Sequence, residues 1–125
     1  MENVTAQETT SLIAASKVTG TDVYNPKGEP IGSVYDVMID KRSGNISYAV
    51  ISFGGFLGMG SDYYPLPWKA LTYDTRLEGY VTDVTPAQLE GAPAFAKDAD
   101  PNWNREYEGR LADFYGANRY LGIMP

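Results

Sequence analysis

Short segments in which apolar and polar residues alternate follow one another along much of the chain, with turn-forming residues between them. Alternation with a period of two is typical of β-strands. Clusters of Asn, Pro, Gly and Ser at residues 25–28 and 41–45 predict turns. Five or six strands joined in this way predict a small all-β meander that closes, or nearly closes, into a barrel. The predicted strand segments are residues 16–24, 31–40, 46–53, 62–71, 71–74 and 79–84.

Two of these segments carry information about position in the sheet. Residues 46–53, ISYAVISF, are apolar on both faces. This is typical of a central strand, or of a strand in a closed barrel whose outer wall is covered. In residues 62–71, Pro65 and Pro67 cannot donate a hydrogen bond to a neighbouring strand. That segment is therefore expected at an edge of the sheet, or its prolines mark a bulge.

The C-terminal part of the chain has a different period. Four large apolar residues recur at spacings of four, four and three, which predicts one face of an amphipathic helix over about residues 101–115. These residues are Trp103, Tyr107, Leu111 and Phe114. Asp100 followed by Pro101 predicts the start of the helix. A helix of this length is marginal in water and must dock on something. Docking on the chain's own barrel is the favoured alternative, and docking on another subunit or a foreign partner is the other.

These patterns divide the chain into three parts. Residues 1–12 are rich in Thr, Glu and Ser and predict a flexible N-terminal tail. Residues 13–92 hold the barrel, together with a single helical turn that Thr85 and Pro86 are expected to begin. Residues 93–125 form a C-terminal extension that carries the amphipathic helix.

Composition excludes several kinds of chemistry. The 125 residues include no cysteine and no histidine, so disulfides, thiolate nucleophiles and the usual zinc sites are excluded. Sixteen acidic and ten basic residues give a net charge of -6, which opposes contact with phosphate backbones and anionic lipids. Direct nucleic-acid binding is therefore not expected. The N-terminal region opens with an acid and has only a short apolar run, so neither a signal peptide nor membrane insertion is expected and the predicted location is cytoplasmic.

The sequence GGFLGMG at residues 54–60 raises the question of a phosphate-binding loop. Its glycines match neither common phosphate-loop spacing, it contains no lysine, and a proline-containing strand follows where a helix would be needed. The favoured interpretation is a strand connection whose glycines permit a tight reversal. Phe56, Leu57 and Met59 then either cap the end of the barrel or are offered to a partner.

The candidate catalytic and metal-binding groups have structural interpretations that are favoured over the chemical ones. Asp36 and Asp40 lie four residues apart in one predicted strand, where paired carboxylates could perform acid–base catalysis or hold a divalent cation. In the favoured interpretation, Asp36 accepts hydrogen bonds from a neighbouring turn and Asp40 begins the turn at residues 41–45. Trp68 is expected to pack in the core. No catalytic, cofactor-binding or metal-binding residue is therefore predicted, and no cofactor.

Three successive stretches of the chain carry a family resemblance: IGSVYDVMID, GNISYAVISFGGFLGMG and YYPLPWKAL. In this order they resemble the PRC-barrel domain. The most specific features are Gly32 and Asp36 in one strand, the glycine loop, and Pro67–Trp68 after it. The family includes the cytoplasmic part of photosynthetic reaction centre H subunits and the C-terminal domain of ribosome-maturation factors. The resemblance implies a small, strongly bent β-barrel that often acts as an adaptor, and this chain is similar to free-standing bacterial members.

The expected function is that of a non-catalytic protein-interaction or scaffold module that self-associates as a homo-oligomer. The expected partner-binding residues are Phe56, Leu57, Met59, Trp103, Tyr107, Leu111 and Phe114. Removing the chain after Ala96 is expected to change association and to leave the barrel folded. The resemblance implies two alternatives. One is a ribosome- or RNA-processing-associated factor that binds a ribosomal protein, and the other is a peripheral component of a membrane or photosynthetic electron-transfer assembly.

Overall fold

The computed structural model describes residues 11–54, 62–96, 99 and 101–117. The alternating segments of the sequence form strands, because alternate side chains can pack on a common core while the others point away from it. In chain order the elements are α1 (Ala15–Val18), β1 (Asp22–Tyr24), β2 (Pro30–Ile39), β3 (Ile46–Phe53), β4 (Asp62–Pro67), a 3-10 turn (Trp68–Ala70), β5 (Thr72–Asp74), β6 (Gly79–Val81), β7 (Phe95–Ala96) and α2 (Arg105–Ala117).

The strands form a single seven-stranded sheet in the order β5-β6-β1-β2-β3-β4-β7. Neighbouring strands are antiparallel except β1 and β6, which pair in parallel. Over the described residues the sheet is open, with β5 and β7 at its two edges. The predicted small all-β fold with a C-terminal helix is confirmed, although the sheet has seven strands where five or six were predicted.

The strand β3 lies inside the sheet, as its two apolar faces predicted. It pairs with β2 on one side and with β4 on the other. Ala49, Ile51 and Phe53 alternate along one face of β3 and are buried in the main hydrophobic core. We call this side of the sheet the core face. The opposite side, which carries Val50, is the outer face.

The strand β4 is an edge strand over most of its length, as its prolines predicted. On the side away from β3, β7 pairs only with Asp62 and Tyr63. Beyond them, β4 has no further strand partner on that side among the described residues. Pro65 and Pro67 have no N–H. They are tolerated at a sheet edge because no neighbouring strand there needs a hydrogen bond from their nitrogen atoms.

The segment predicted as a strand over residues 16–24 is instead a helical turn followed by a short strand. The turn is α1, and β1 begins only at Asp22. The hydroxyl of Thr21 donates to the carbonyl oxygen of Lys17 at 2.7 Å, and such local bonds compete with strand pairing. The prediction was wrong here because Thr and Val favour strands in general.

The structure differs from the predicted strands in two further places, β4 and β7. The segment predicted over residues 62–71 leaves the strand at Pro67 and continues as the 3-10 turn. Trp68 in this turn packs against the core as predicted, with its ring centroid 5.3 Å from that of Tyr80. The strand β7 was not predicted, because two residues are too few to show an alternating pattern.

The helix α2 begins later than the sequence predicted, at Arg105 rather than near residue 101. Trp103 has a φ of +40°, which is outside the helical range. The side-chain oxygen of Asn104 accepts a hydrogen bond from the backbone N–H three residues later at 2.9 Å. Asn104 is therefore the N-cap residue. The predicted start, Asp100, lies outside the described residues.

The single helical turn predicted after Thr85 is present. The hydroxyl oxygen of Thr85 accepts a hydrogen bond from the N–H of Gln88 at 3.3 Å, and the side-chain oxygen of Gln88 accepts one from the N–H of Thr85 at 2.9 Å. This reciprocal pair is a capping box, which satisfies two backbone donors at the start of the turn.

Gly32 lies where β2 and β3 approach each other closely. A Cβ atom at this position would clash with the carbonyl oxygen of Ser52 and lie 3.0 Å from the Cα of Phe53. Any other residue would therefore force the two strands apart. This gives a physical reason for the glycine that the family resemblance singled out.

Candidate functional site

The partner-binding residues predicted from the sequence fall in two regions. Phe56, Leu57 and Met59 lie outside the described residues, so their contact with a partner stays a prediction. The remaining four lie in α2 or just before it, and two are buried while two are half-buried. The buried pair is Tyr107 and Leu111, and the half-buried pair is Trp103 and Phe114.

In this structure α2 docks on the chain's own sheet. Tyr107, Leu111 and Tyr115 follow one another at a spacing of four, form one face of the helix and are buried in the main core. Tyr115 was missing from the predicted face, and Trp103 precedes the helix instead of joining it. The structure thus has the helix in the favoured, intramolecular position. Contact of these side chains with a partner stays a prediction, and it would require the helix to leave the sheet.

Two tyrosine hydroxyls of α2 form buried hydrogen bonds, one to β4 of the sheet and one to the segment that precedes β7. The hydroxyl of Tyr115 donates to the carbonyl oxygen of Pro65 in β4 at 2.5 Å, and that of Tyr107 donates to the carbonyl oxygen of Pro93 at 2.6 Å. Burial raises the pKa of the Tyr107 phenol to about 12 and that of the Tyr115 phenol further still. Both hydroxyls are therefore neutral donors in structural bonds over the physiological pH range.

The two candidate carboxylates each accept hydrogen bonds from backbone N–H groups close to them in sequence. Asp40 accepts hydrogen bonds from the N–H groups of Arg42 and Ser43 at 2.8 and 2.9 Å, as its predicted turn position requires. These backbone donors, that of Ser43 most strongly, hold the pKa of Asp40 below its usual value. Asp36 accepts from the adjacent N–H of Val37 at 2.8 Å, not from a turn. Over the described part of the chain, no three Asp or Glu side chains gather in a group that could hold a metal ion.

Four aromatic side chains form a cluster on the outer face of the sheet. The members of this outer-face cluster are Tyr35, Tyr63, Phe95 and Trp103. The rings of Tyr35 and Tyr63 stack with centroids 4.0 Å apart. The Tyr63–Phe95 and Phe95–Trp103 pairs meet edge to face at 5.5 and 6.4 Å. Aromatic pairs in these geometries contribute roughly 0.5–1.5 kcal/mol each beyond the burial of their area.

The register of four neighbouring strands brings this cluster together. Tyr63 of β4 lies opposite Phe95 of β7, so both point to the same face. In β2 a bulge separates Val34 from Asp36, and Tyr35 is the extra residue. A bulge breaks the alternation of side chains. Val34 therefore points into the core, while Tyr35 and Asp36 both lie on the outer face.

The outer-face cluster surrounds a cavity of about 140 Å³. Val50 lines its floor and is only 2% exposed, although it lies outside the main core. Asp36, which pairs with Val50 across the sheet, and Met38 complete the lining. Trp103 contributes to the wall from a backbone conformation that non-glycine residues rarely adopt. The arrangement is an aromatic pocket with one carboxylate at its edge.

A second concavity lies between the β2–β3 hairpin and the end of α2. This hairpin groove has a volume of about 890 Å³. The large side chains that line it include Ile46, Tyr48, Pro67, Trp68 and Tyr115. Ile39 pairs with Ile46 across the hairpin and is 49% exposed. An exposed apolar ridge therefore adjoins an apolar groove.

The open seven-stranded sheet with one docked helix defines the class of protein as a small β-rich domain. A family model for the PRC-barrel domain matches residues 11–89, which is more than half of the chain. The chain therefore belongs to the PRC-barrel domain family, and the resemblance stated from the sequence is confirmed. Domains of this family mediate protein interactions. No curated protein matches the chain. None of the helices in the described residues is long and apolar enough to cross a membrane.

Sequence reasoning missed both the outer-face cluster and the hairpin groove. The cluster collects residues that are up to 68 positions apart (Tyr35 to Trp103), and its assembly depends on strand register and on a bulge. The alternation of the sequence places Tyr35 on the side opposite Val34, but a single exposed aromatic residue is common on protein surfaces and does not by itself indicate a site.

Proposed function

We propose that the chain is a non-catalytic interaction module that self-associates as a homo-oligomer, and that the hairpin groove is its interface. The observation that carries this proposal is the ridge of Ile39 and Ile46 beside the apolar groove lined by Trp68 and Tyr48. Membership of a family whose domains mediate protein interactions supports the same class of function.

The arrangement favours a second copy of the chain as the occupant. A two-fold interface uses the same surface on both subunits, so that surface must be complementary to itself. A ridge and a groove that adjoin on one molecule meet this requirement, because the ridge of each copy can enter the groove of the other. Burial of the exposed part of Ile39 then supplies part of the hydrophobic free energy of association.

The test is sedimentation velocity of the full chain over about 1–200 μM, the range in which weak homo-oligomers dissociate. The wild type is expected to show a concentration-dependent dimer or larger oligomer. Ile39→Asp places a charge in the apolar interface and is expected to raise the dissociation constant by about tenfold or more.

Leu12→Asp is the matched control. Leu12 is 72% exposed, it does not line the groove, and the change of apolar to acidic side chain is the same. It should leave association unchanged. A wild type that stays monomeric over the whole range contradicts self-association. Equal weakening by both variants contradicts the assignment of the interface to the hairpin groove.

A further inference from the structure

The cavity of the outer-face cluster has the chemistry of a cation site. Its walls are aromatic rings from β2, β4, β7 and the segment before α2, and its floor is the apolar side chain of Val50. Among the described residues, Asp36 is the carboxylate of the lining, and no lysine or arginine contributes to it. Aromatic faces attract cations within roughly 6 Å of the ring centroid. The four rings pack against one another and all line the same cavity, so one small group in the cavity can contact more than one of them.

From this arrangement we infer that the cavity binds a methylated ammonium group, which is a function distinct from self-association. A cation with N–H donors would have to exchange its hydration for several acceptors, which is costly in a mainly aromatic pocket. A trimethylammonium group carries its charge without donors and presents apolar methyl groups. It therefore matches aromatic walls, an apolar floor and a single carboxylate.

The size of the cavity limits the ligand to this one group. Its volume of about 140 Å³ is well below the roughly 300–1,000 Å³ of clefts that enclose drug-sized ligands. A methylated ammonium head fits, and the remainder of the ligand extends into solvent past the half-exposed Tyr35. The net charge of -6 adds a general attraction for cations.

The carboxylate is held in place by the fold. The Oδ1 atom of Asp36 accepts a hydrogen bond from the N–H of Val37 at 2.8 Å, which orients the side chain on the outer face. The bulge at Tyr35 is what brings a ring and a carboxylate from consecutive residues to the same cavity. Bulges recur beside functional sites for this reason.

The ligand head group could belong to a free small molecule or to a methylated lysine side chain, and the experiment separates these sources. Two-dimensional NMR of the ¹⁵N-labelled full chain follows titrations with choline chloride, with a short peptide containing trimethyl-lysine, and with the same peptide unmethylated. The chain has two tryptophans, so the indole N–H of Trp103 reports on the cavity. That of Trp68, which lies outside this cavity, is the internal reference.

Saturable shifts of the Trp103 indole and of the Val50 amide are expected with choline or with the methylated peptide. Whichever of choline and the methylated peptide has the lower dissociation constant identifies the source of the head group. The neutral isostere 3,3-dimethyl-1-butanol, which has the shape of choline without its charge, is expected to bind at least about fivefold more weakly. Equal binding of choline and the isostere, or no saturable shift with any methylated ligand, overturns the inference.

Two variants of the cavity, Asp36→Asn and Tyr35→Ala, test the roles of these two residues in cation binding. If one variant fails to fold, the other still tests the site. Asp36→Asn preserves the Oδ1 acceptor and removes the charge, and it is expected to weaken choline binding by about threefold to tenfold at low salt. Asp62→Asn removes the same charge from the neighbouring β4, where Asp62 and Tyr63 point to opposite faces. It should leave binding unchanged. Equal effects of both variants contradict a role for Asp36 in the site.

Tyr35→Ala removes an aromatic wall at a position that is 51% exposed, so the main core should remain intact. It is expected to weaken choline binding by about fivefold or more, since one cation–π contact is lost. Unchanged affinity in this variant, with an unchanged dispersion of amide signals, contradicts the site. The hairpin groove and this cavity share no lining residue among those described, so failure of self-association and failure of cation binding are separate outcomes.

Discussion

Tyr115 donates a hydrogen bond to the backbone carbonyl oxygen of Pro65 at the edge of β4. Among the described strands, none pairs with the carbonyl oxygen of Pro65 on that side, and a buried acceptor without a hydrogen bond is destabilising by roughly 1–3 kcal/mol. The phenol of Tyr115 supplies the donor from α2. A single side chain therefore both satisfies the edge and anchors the helix.

Burial of the Tyr107 and Tyr115 phenols makes the stability of the fold depend on pH in the alkaline range. Burial favours the neutral phenols of Tyr107 and Tyr115, so their folded pKa values lie above the value of about 10 in an unfolded chain. Their contribution to stability is thus complete below pH 10 and is lost as the pH rises from about 10 through about 12 for Tyr107, and higher for Tyr115. Urea unfolding midpoints of the wild type are expected to fall over this range.

Tyr115→Phe separates the two effects of the hydroxyl. At pH 8 the variant should be less stable by about 1–3 kcal/mol, because the Pro65 carbonyl oxygen stays buried without its donor. Between pH 9 and pH 11.5, however, its stability should fall less than that of the wild type, since one buried phenol no longer titrates. Parallel pH profiles for the two proteins would contradict this account of Tyr115.

At the scale of elements, α2 is stabilised mainly by its buried face. Leu111 lies at the centre of that face and is 0% exposed. Leu111→Ala is expected to destabilise the protein by about 2–5 kcal/mol, because truncation of a buried leucine removes apolar contacts and leaves a cavity. Chemical denaturation followed by circular dichroism measures the change in the free energy of unfolding.

Asp113→Ala is the control on the same helix. Asp113 is exposed, and a surface substitution of this kind usually changes stability by no more than about 0.5 kcal/mol. If Leu111→Ala were as mild as this control, α2 would not be packed on the sheet in solution.

The sequence predicted the elements whose pattern is local and long enough to read. The strand at Ile46–Phe53 was predicted with its bounds and its interior position, because apolar residues on both faces require cover on both sides. The turn at Asp40 and the N-cap at Thr85 were also predicted, since short polar side chains bond to their own backbone. The strand β7 and the parallel pairing of β1 with β6 were not, because only tertiary contacts define them.

The candidate sites were harder to predict than the fold, for a related reason. A one-residue shift in register moves every side chain of a strand to the other face. The bulge at Tyr35 shifts the register of β2 by one residue, and no residue type in β2 predicts it. The positive φ of Trp103 could not be predicted from the sequence either. The pattern of the tail was detected, but the role of Tyr115 in its buried face was missed.

At the scale of the whole molecule, the C-terminal extension and the family-matched region share one core. The family model covers residues 11–89, yet Tyr107, Leu111 and Tyr115 belong to the same buried cluster as Ile51 and Leu66. A cluster that spans both regions predicts a single cooperative unfolding transition. This changes the expectation for removal of the chain after Ala96, which the sequence alone predicted to leave the barrel folded.

We now expect deletion after Ala96 to unfold the barrel or to leave it only marginally stable. Three buried side chains would be lost, each worth roughly 2–5 kcal/mol when truncated, against a total stability of about 5–15 kcal/mol for a domain of this size. The truncated chain should show narrow amide dispersion and no cooperative thermal transition. Adding a synthetic peptide of residues 97–125 should restore dispersion with saturable affinity, because the missing face of α2 can bind from outside. A truncated chain that unfolds cooperatively at the wild-type midpoint would contradict the shared core. The extension would then be free to dock on a partner, as one alternative drawn from the sequence proposed.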